Sequence, residues 1–269
     1  MSAPHRPVRI GVQLHPQHAD YAAIRDAVAR AEDLGADVVY NWDHFFPLYG
    51  DADGKHFEAW TMLAAWAEQT SRIEIGCLVT CNSYRNPNLL ADMARSIDHI
   101  SGGRLILGMG SGWFERDYDE YGYEFGTVGS RLDRLGENLP VIKDRWSKLN
   151  PAPSRDIPIL IGGVGPRKTL RFVAEHAQIW HALFPGSPGD VSGSVDTLRN
   201  WCAEYGRDPA EIEAGIGLQP GDAPRVLAEH ADEYLSLGFT QFTFGTNGPD
   251  YSYAGLEDWL AWRDDVNAR

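Results

Sequence analysis

The sequence is poor in cysteine, in positive charge and in long apolar runs, and each shortage excludes something. Its 269 residues include three cysteines, Cys77, Cys81 and Cys202. Cys77 and Cys81 have the wrong spacing for a zinc knuckle, and no companion His-Cys set follows them. Buried free thiols in a reducing cytoplasm are the expectation. Lysine and arginine together number 24 against 38 aspartates and glutamates, a net charge of −14 at pH 7. That balance argues against nucleic acid or an anionic membrane as the main partner, because both attract a basic face. No run approaches the ~18 apolar residues of a membrane span. The opening residues, Met-Ser-Ala-Pro-His-Arg-Pro, lack the apolar core of a secretion signal, which points to a cytoplasmic protein. Low-complexity tracts are missing too.

What is present is alternation. Short apolar runs at 8–14, 37–40, 73–80, 105–107, 157–161, 179–181, 212–218 and 239–244 read as strands. Between them lie segments with apolar residues at helical spacing. The helix after Asn86-Pro87 is the clearest, with an N-cap asparagine, a first-turn proline and a Gly102-Gly103 stop. Residues 113–128 read as a long aromatic loop, and 184–194 as a Gly/Ser/Pro loop. Eight strand–helix units in about 250 residues, with no break in composition, predict a single (β/α)8 TIM barrel domain over 1–269. A doubly wound open sheet is the alternative; the barrel requires the first and last strands to pair.

A barrel of this kind carries its active site at the C-terminal ends of the strands. Those ends hold His15, Trp42-Asp43-His44, residues 79–84, Gly108 to Trp113, Gly162 to Pro166, Trp180-His181 and residues 245–247. The set mixes glycines, aromatics and histidines with few carboxylates, which suits a large flat ligand better than a metal. Asp43, His44 and His181 lack the paired acids that would complete a metal site, so no metal is expected. Ser111 lacks the Gly-x-Ser-x-Gly elbow of a nucleophile. Gly108-Met-Gly110-Ser-Gly112 is not the dinucleotide fingerprint, and Arg167 stands where a P-loop has its last glycine. The turn Gly162-Gly163-Val164-Gly165-Pro166 before a helix still offers backbone N–H groups and a helix dipole to a phosphate, with Arg167, Lys168 and Arg171 close in sequence. An ordinary helix entry with solvated basic residues is the other reading. His44 is a candidate proton donor or acceptor near neutral pH; Asp43 could equally cap a loop.

Five segments in order carry a resemblance: Asp37 to His44, Leu78 to Pro87, Asp98 to Glu115, Tyr121 to Gly126 and Ile161 to Leu170. The chain resembles the luciferase-like monooxygenase superfamily, in particular its actinobacterial coenzyme F420-dependent oxidoreductases. The resemblance implies a barrel that binds a deazaflavin at the strand ends and transfers hydride to or from a small, apolar or aromatic organic substrate. It implies a third strand ending in a bulge, often with a non-proline cis peptide, near Leu78-Val79 or Val79-Thr80. On this resemblance Asp43 and His44 are the catalytic pair, and Asp43, Leu78, Val79, Thr80, Gly110, Ser111, Gly112, Gly162, Gly163, Val164, Gly165, Pro166 and Lys168 bind the cofactor. Trp113, His15, Trp180 and His181 form the substrate pocket. A basic groove of Arg131, Lys168 and Arg171 would take an anionic cofactor tail.

One departure stands out. Sugar-phosphate dehydrogenases of this superfamily have a glutamate after the Gly-x-Gly, where this chain has Trp113. Glu115 replaces that acid only if its loop turns inward. An FMN-dependent monooxygenase using oxygen and a non-catalytic flavin- or deazaflavin-binding protein are the alternatives. A homodimer is usual among the proteins it resembles.

Overall fold

The computed structural model describes residues 6–269; the first five residues, on which part of the reading of a missing secretion signal rests, lie outside it. Strands and helices alternate as β1 (Arg9–His15), α1 (Tyr21–Leu34), β2 (Val38–Asn41), α2 (Ala59–Gln69), β3 (Glu74–Cys77), β4 (Thr80–Cys81), α3 (Pro87–Ser101), β5 (Leu105–Gly110), α4 (Glu115–Tyr121) and α5 (Val128–Lys148). They continue as β6 (Ile159–Gly162), α6 (Thr169–His176), β7 (Ile179–His181), α7 (Gly189–Tyr205), β8 (Glu213–Leu218), α8 (Ala223–Leu237), β9 (Phe239–Asn247) and α9 (Leu256–Asn267). Every pairing between named strands is parallel. The order runs β3-β2-β1-β9-β8-β7-β6-β5-β4, and β3 also pairs with β5, so the sheet closes on itself. β3 and β4 are two halves of one staggered strand. The result is a closed eight-stranded (β/α)8 barrel, and the first and last strands pair from Arg9↔Gln241 to His15↔Asn247.

Alternation along each strand sorts side chains to two sides, as period-2 geometry requires. Val38, Tyr40, Leu78, Ile106, Leu160 and Ile179 pack together inside the barrel. Their neighbours Val39, Leu105, Leu107, Ile159, Ile161 and Trp180 face the helices and join the large outer core. The N-terminal end of the barrel is plugged by ions: Arg9 pairs with Glu74 and, at 3.0 Å, with Glu213, and Arg155 reaches Glu74 at 2.8 Å.

The break between β3 and β4 is a bulge. Gly76 pairs with Ile106 and Thr80 with Met109, so one extra residue is squeezed in on the β3/β4 side. The Leu78-Val79 peptide within it is cis, at the first of the two expected positions. Gln13 Nε2 of β1 donates to the Leu78 carbonyl at 2.7 Å across the barrel interior, and Leu78 N–H donates to Asn41 O of the adjacent β2 at 2.9 Å, so the bulge is fixed from two strands.

Two segments differ from the sequence reading. The aromatic stretch 113–128 contains a helix, α4, and α7 starts at Gly189 within the expected loop. α4 is two turns long and mixes aromatics with acids, so it carries no clear apolar stripe for periodicity to detect. Among the described residues no helix is long and apolar enough to cross a membrane.

Candidate active site at the barrel mouth

His44 lies just past β2, with its side chain 12% exposed. Its Nδ1 is 2.7 Å from Asp117 Oδ2. A carboxylate only accepts, so Nδ1 carries the hydrogen, and Nε2 is left as the ring's exchangeable position. Asp117 is fully buried and accepts twice more, from Phe45 N–H at 3.0 Å and the Tyr84 hydroxyl at 2.9 Å. Burial pushes the Tyr84 phenol far above its ordinary range, so it remains a donor. The sequence reading missed Asp117, which comes from α4. The signal was a carboxylate two residues beyond Glu115, on a stretch read as loop. Glu115 itself is exposed.

Aromatic rings surround the His44 imidazole. Trp113 meets it at 5.8 Å between centroids, Phe114 at 5.5 Å and Trp42 at 6.0 Å, all edge to face. Trp113 is 61% exposed and forms an open wall of the mouth. On the far side of Trp42, His15 stacks at 4.3 Å. His15 Nδ1 contacts Tyr49 Oη at 2.5 Å and Asn247 Oδ1 at 2.7 Å. Burial lowers its pKa to about 4, so the ring is neutral. Its Nε2 is buried without a hydrogen-bond partner among the described residues, as is Gln13 Oε1.

Several expected site residues stand elsewhere. Asp43 is buried and its carboxylate is occupied: it accepts from Cys81 N–H at 2.9 Å and from both terminal nitrogens of Arg85, at 2.6 and 3.0 Å. Its carboxylate is thus committed to holding β4 against β2, and His44's partner is Asp117 instead. Trp180 is on the outer face of β7, 1% exposed, packed on Phe239 with its indole N–H on Gly163 O at 2.9 Å. Strand alternation sends its neighbour His181 inward. His181 is fully buried, accepts from Leu183 N–H at 3.1 Å, and is pushed by burial to a pKa of about 3.

Arg131 is not in the basic groove either. It is 4% exposed, donates to Gly112 O and Phe125 O at 3.0 Å each, and lies over the Phe125 ring. A groove of 820 Å³ does exist beside it, lined by Val128, Gly129, Gly165, Arg167, Lys168 and Arg171. It lies between the N-termini of α5 and α6, where two helix dipoles add positive potential. Lys168 is paired with Asp133 at 2.5 Å on its edge.

The three alternating glycines serve a different purpose from the one expected. A Cβ on Gly108 would lie 1.9 Å from Cys77 O, one on Gly110 2.5 Å from the Val79 side chain, and one on Gly112 2.0 Å from the Tyr118 hydroxyl. Each makes room for the bulge or for α4, not for open space. Val79 also fills the position in front of Gly162, 3.0 Å from a Cβ there. Thr80 is buried, and its hydroxyl accepts from the Trp60 indole at 3.2 Å. Ser111 O lies 3.4 Å from the Tyr118 hydroxyl. Gly163 has φ +121 and turns the chain into α6 through Val164, Gly165 and Pro166.

A parallel barrel whose mouth holds a histidine–aspartate pair in an aromatic wall, with a bulged cis third strand, defines a known class. The profile of the luciferase-like monooxygenase family matches residues 6–243, and the chain belongs to that family. It is 29% identical to a Mycobacterium tuberculosis protein that bears the name "Putative coenzyme F420-dependent oxidoreductase", over 86% of this chain and 76% of that one. It is also 29% identical to the phthiodiolone/phenolphthiodiolone dimycocerosates ketoreductase of Mycobacterium tuberculosis, over 87% and 72%. Among solved structures, an F420-dependent secondary alcohol dehydrogenase with an F420-acetone adduct superposes with a TM-score of 0.79. It is 18% identical, over 90% of this chain and 94% of that one. A long-chain alkane monooxygenase superposes at 0.74, with 12% identity over 98% and 92%.

Proposed function

We propose that the protein is a coenzyme F420-dependent oxidoreductase that interconverts a carbonyl and an alcohol in an apolar substrate. The observation that carries this reading is the His44–Asp117 pair at the strand ends, with Nε2 left free inside a ring of aromatic side chains. The names of two relatives support the cofactor and the reaction type.

The mouth has features that fit a deazaflavin. His15 Nε2 and Gln13 Oε1 are buried acceptors without partners, suited to the N–H and O–H edges of a heteroaromatic ring. The Leu78-Val79 bulge with the Val79 side chain would back that ring. The groove at Gly165, Arg167 and Arg171 would hold the anionic tail, with Lys168 on its edge. A bound deazaflavin supplies the hydride. His44 supplies the proton: in the reductive direction its cationic ring gives up the Nε2 hydrogen to the carbonyl oxygen as the alcohol forms. In the oxidative direction the neutral Nε2 takes it back. Asp117 holds the ring in both states, and a substrate seated against Trp113 and Phe114 would cover the mouth and keep water from the transfer.

Fluorescence titration of the purified protein with F420 and with FMN tests the cofactor. F420 is expected to bind with a Kd on the order of 1 μM or below. Tight FMN binding without F420 binding would overturn the assignment in favour of an oxygen-using monooxygenase.

A further inference from the structure

The groove between α5 and α6 does not end where its arginines do. The 820 Å³ cavity at the helix N-termini and a second one of 450 Å³ share Asp133 and Arg171, so one trench runs on along the two helices. Its upper part is basic. Among the described residues neither Arg167 nor Arg171 is in an ion pair, whereas Lys168 is already paired with Asp133. Arg171 lies over the Phe172 ring at 5.1 Å, and its Nε has no hydrogen-bond partner among the described residues. Two unpaired guanidinium groups and two helix N-termini, at about half a charge each, give this part about three positive charges.

The lower part has the opposite sign. Glu137 lies about one helical turn past Asp133 on α5, and Glu175 about one turn past Arg171 on α6. Both are exposed. Glu175 accepts from the Tyr205 hydroxyl at 3.0 Å and reaches His176 Nε2 at 3.7 Å, and Glu137 is in no ion pair among the described residues. Lys143 bonds the His176 carbonyl at 3.2 Å and lines neither cavity. The trench therefore changes from positive to negative within about two helical turns.

That reversal bears on the length of tail the groove accepts. The F420 tail is a phosphodiester followed by a variable number of linked glutamates. With one glutamate it carries the phosphate and two carboxylates, a charge that the upper part balances. Each further glutamate adds a carboxylate that runs toward Glu137 and Glu175, where like charges repel. We propose that the groove selects its cofactor by tail length, with Glu137 and Glu175 as the specificity-determining residues: a short tail is favoured and a long one is disfavoured. This rests on the F420 reading above and adds which form of the cofactor the protein takes.

The test titrates the cofactor-free protein with F420 carrying one, three or six glutamates, followed by fluorescence. The six-glutamate form is expected to bind roughly fivefold more weakly than the one-glutamate form at low salt, a gap that narrows as salt rises. The double variant Glu137→Gln, Glu175→Gln is expected to abolish or reverse that gap. The tail-less deazaflavin chromophore is expected to bind wild type and double variant equally, which assigns the change to the tail. Affinity that rises with each glutamate in the wild type, or that ignores tail length, overturns the inference and leaves the cofactor reading intact. A double variant that keeps the wild-type ranking overturns it as well. If no form of F420 binds, the cofactor reading falls and the inference with it.

Discussion

At the scale of residues, the site depends on which carboxylate faces which base. The aspartate adjacent to His44 in sequence holds Arg85 and Cys81, while one 73 residues away holds the imidazole. His44→Ala is expected to lower kcat by about 10²–10⁴-fold with F420 affinity retained. A variant that neither turns over nor binds would place His44 in cofactor binding instead. Asp117→Asn keeps the shape but loses the charge behind the ring. It is expected to reduce kcat between about 10-fold and 10⁴-fold with little change in KM. Asp117→Ala also strands the Phe45 N–H and the Tyr84 hydroxyl. Its urea midpoint should fall by an amount worth about 1–3 kcal/mol for each. Equal kcat in wild type and Asp117→Asn would remove Asp117 from the mechanism.

The buried histidines set a pH dependence of stability. Burial lowers His15 and His56 to about 4 and His181 to about 3. Their folded pKa values lie below the ordinary 6.5, so the unfolded chain binds more protons between those limits. Stability is therefore full above about pH 6.5 and falls as pH drops toward 4, by up to about 1.4 kcal/mol per pH unit for each ring. A Tm that declines from pH 7 to pH 5, and declines less in His181→Asn, is the expected result; a flat Tm over that span contradicts it.

Among the elements, the staggered strand β3/β4 depends on its neighbour β5. Gly108 leaves room for the Cys77 carbonyl, and without that room the bulge carrying Leu78 and Val79 cannot lie flat against β5. Gly108→Ala forces backbone apart. It is expected to abolish soluble expression or to lower stability by more than about 3 kcal/mol, read from chemical denaturation. Gly193→Ala, where nothing lies within 4 Å, serves as the control and is expected to be close to neutral. The sequence made β5 and its glycines plain because apolar period and glycine spacing are local signals. What each glycine faces was hidden, because Cys77, Val79 and Tyr118 come to it through the fold. Trp180 and His181 show the same limit. Both end a strand, but the residue parity that sends one outward and one inward needed the register of β7 against β6, Ile161↔Trp180.

For the whole molecule, eight strand–helix units were enough to name the barrel, and the barrel rule placed His44 and Trp113 at the mouth. Asp117 and the true lining of the basic groove escaped, because α4 lacks a stripe and Arg131 turns inward to Gly112 and Phe125. The groove gives a prediction that concerns the molecule's field. In a chain of net charge −14, an anionic tail in this groove would depend on the local positive end formed by the N-termini of α5 and α6 with Arg167 and Arg171. Arg167→Glu is expected to weaken F420 roughly tenfold or more, most at low ionic strength, and to weaken FMN, which has a phosphate but no longer anionic tail, distinctly less. Equal loss of both cofactors would mean that the groove does not hold the tail.

The seam between β1 and β9 governs how this chain reaches its native state. It joins His15 to Asn247, 232 residues apart, through the longest register in the sheet. Until β9 has emerged from the ribosome, β1 keeps an open edge of N–H and C=O groups, a template for pairing with other chains. Loop closure over so many residues is slow relative to local helix formation. Yield of soluble protein should therefore respond more to synthesis rate and chaperone supply than to native stability, and cooler, slower expression should favour the closed barrel.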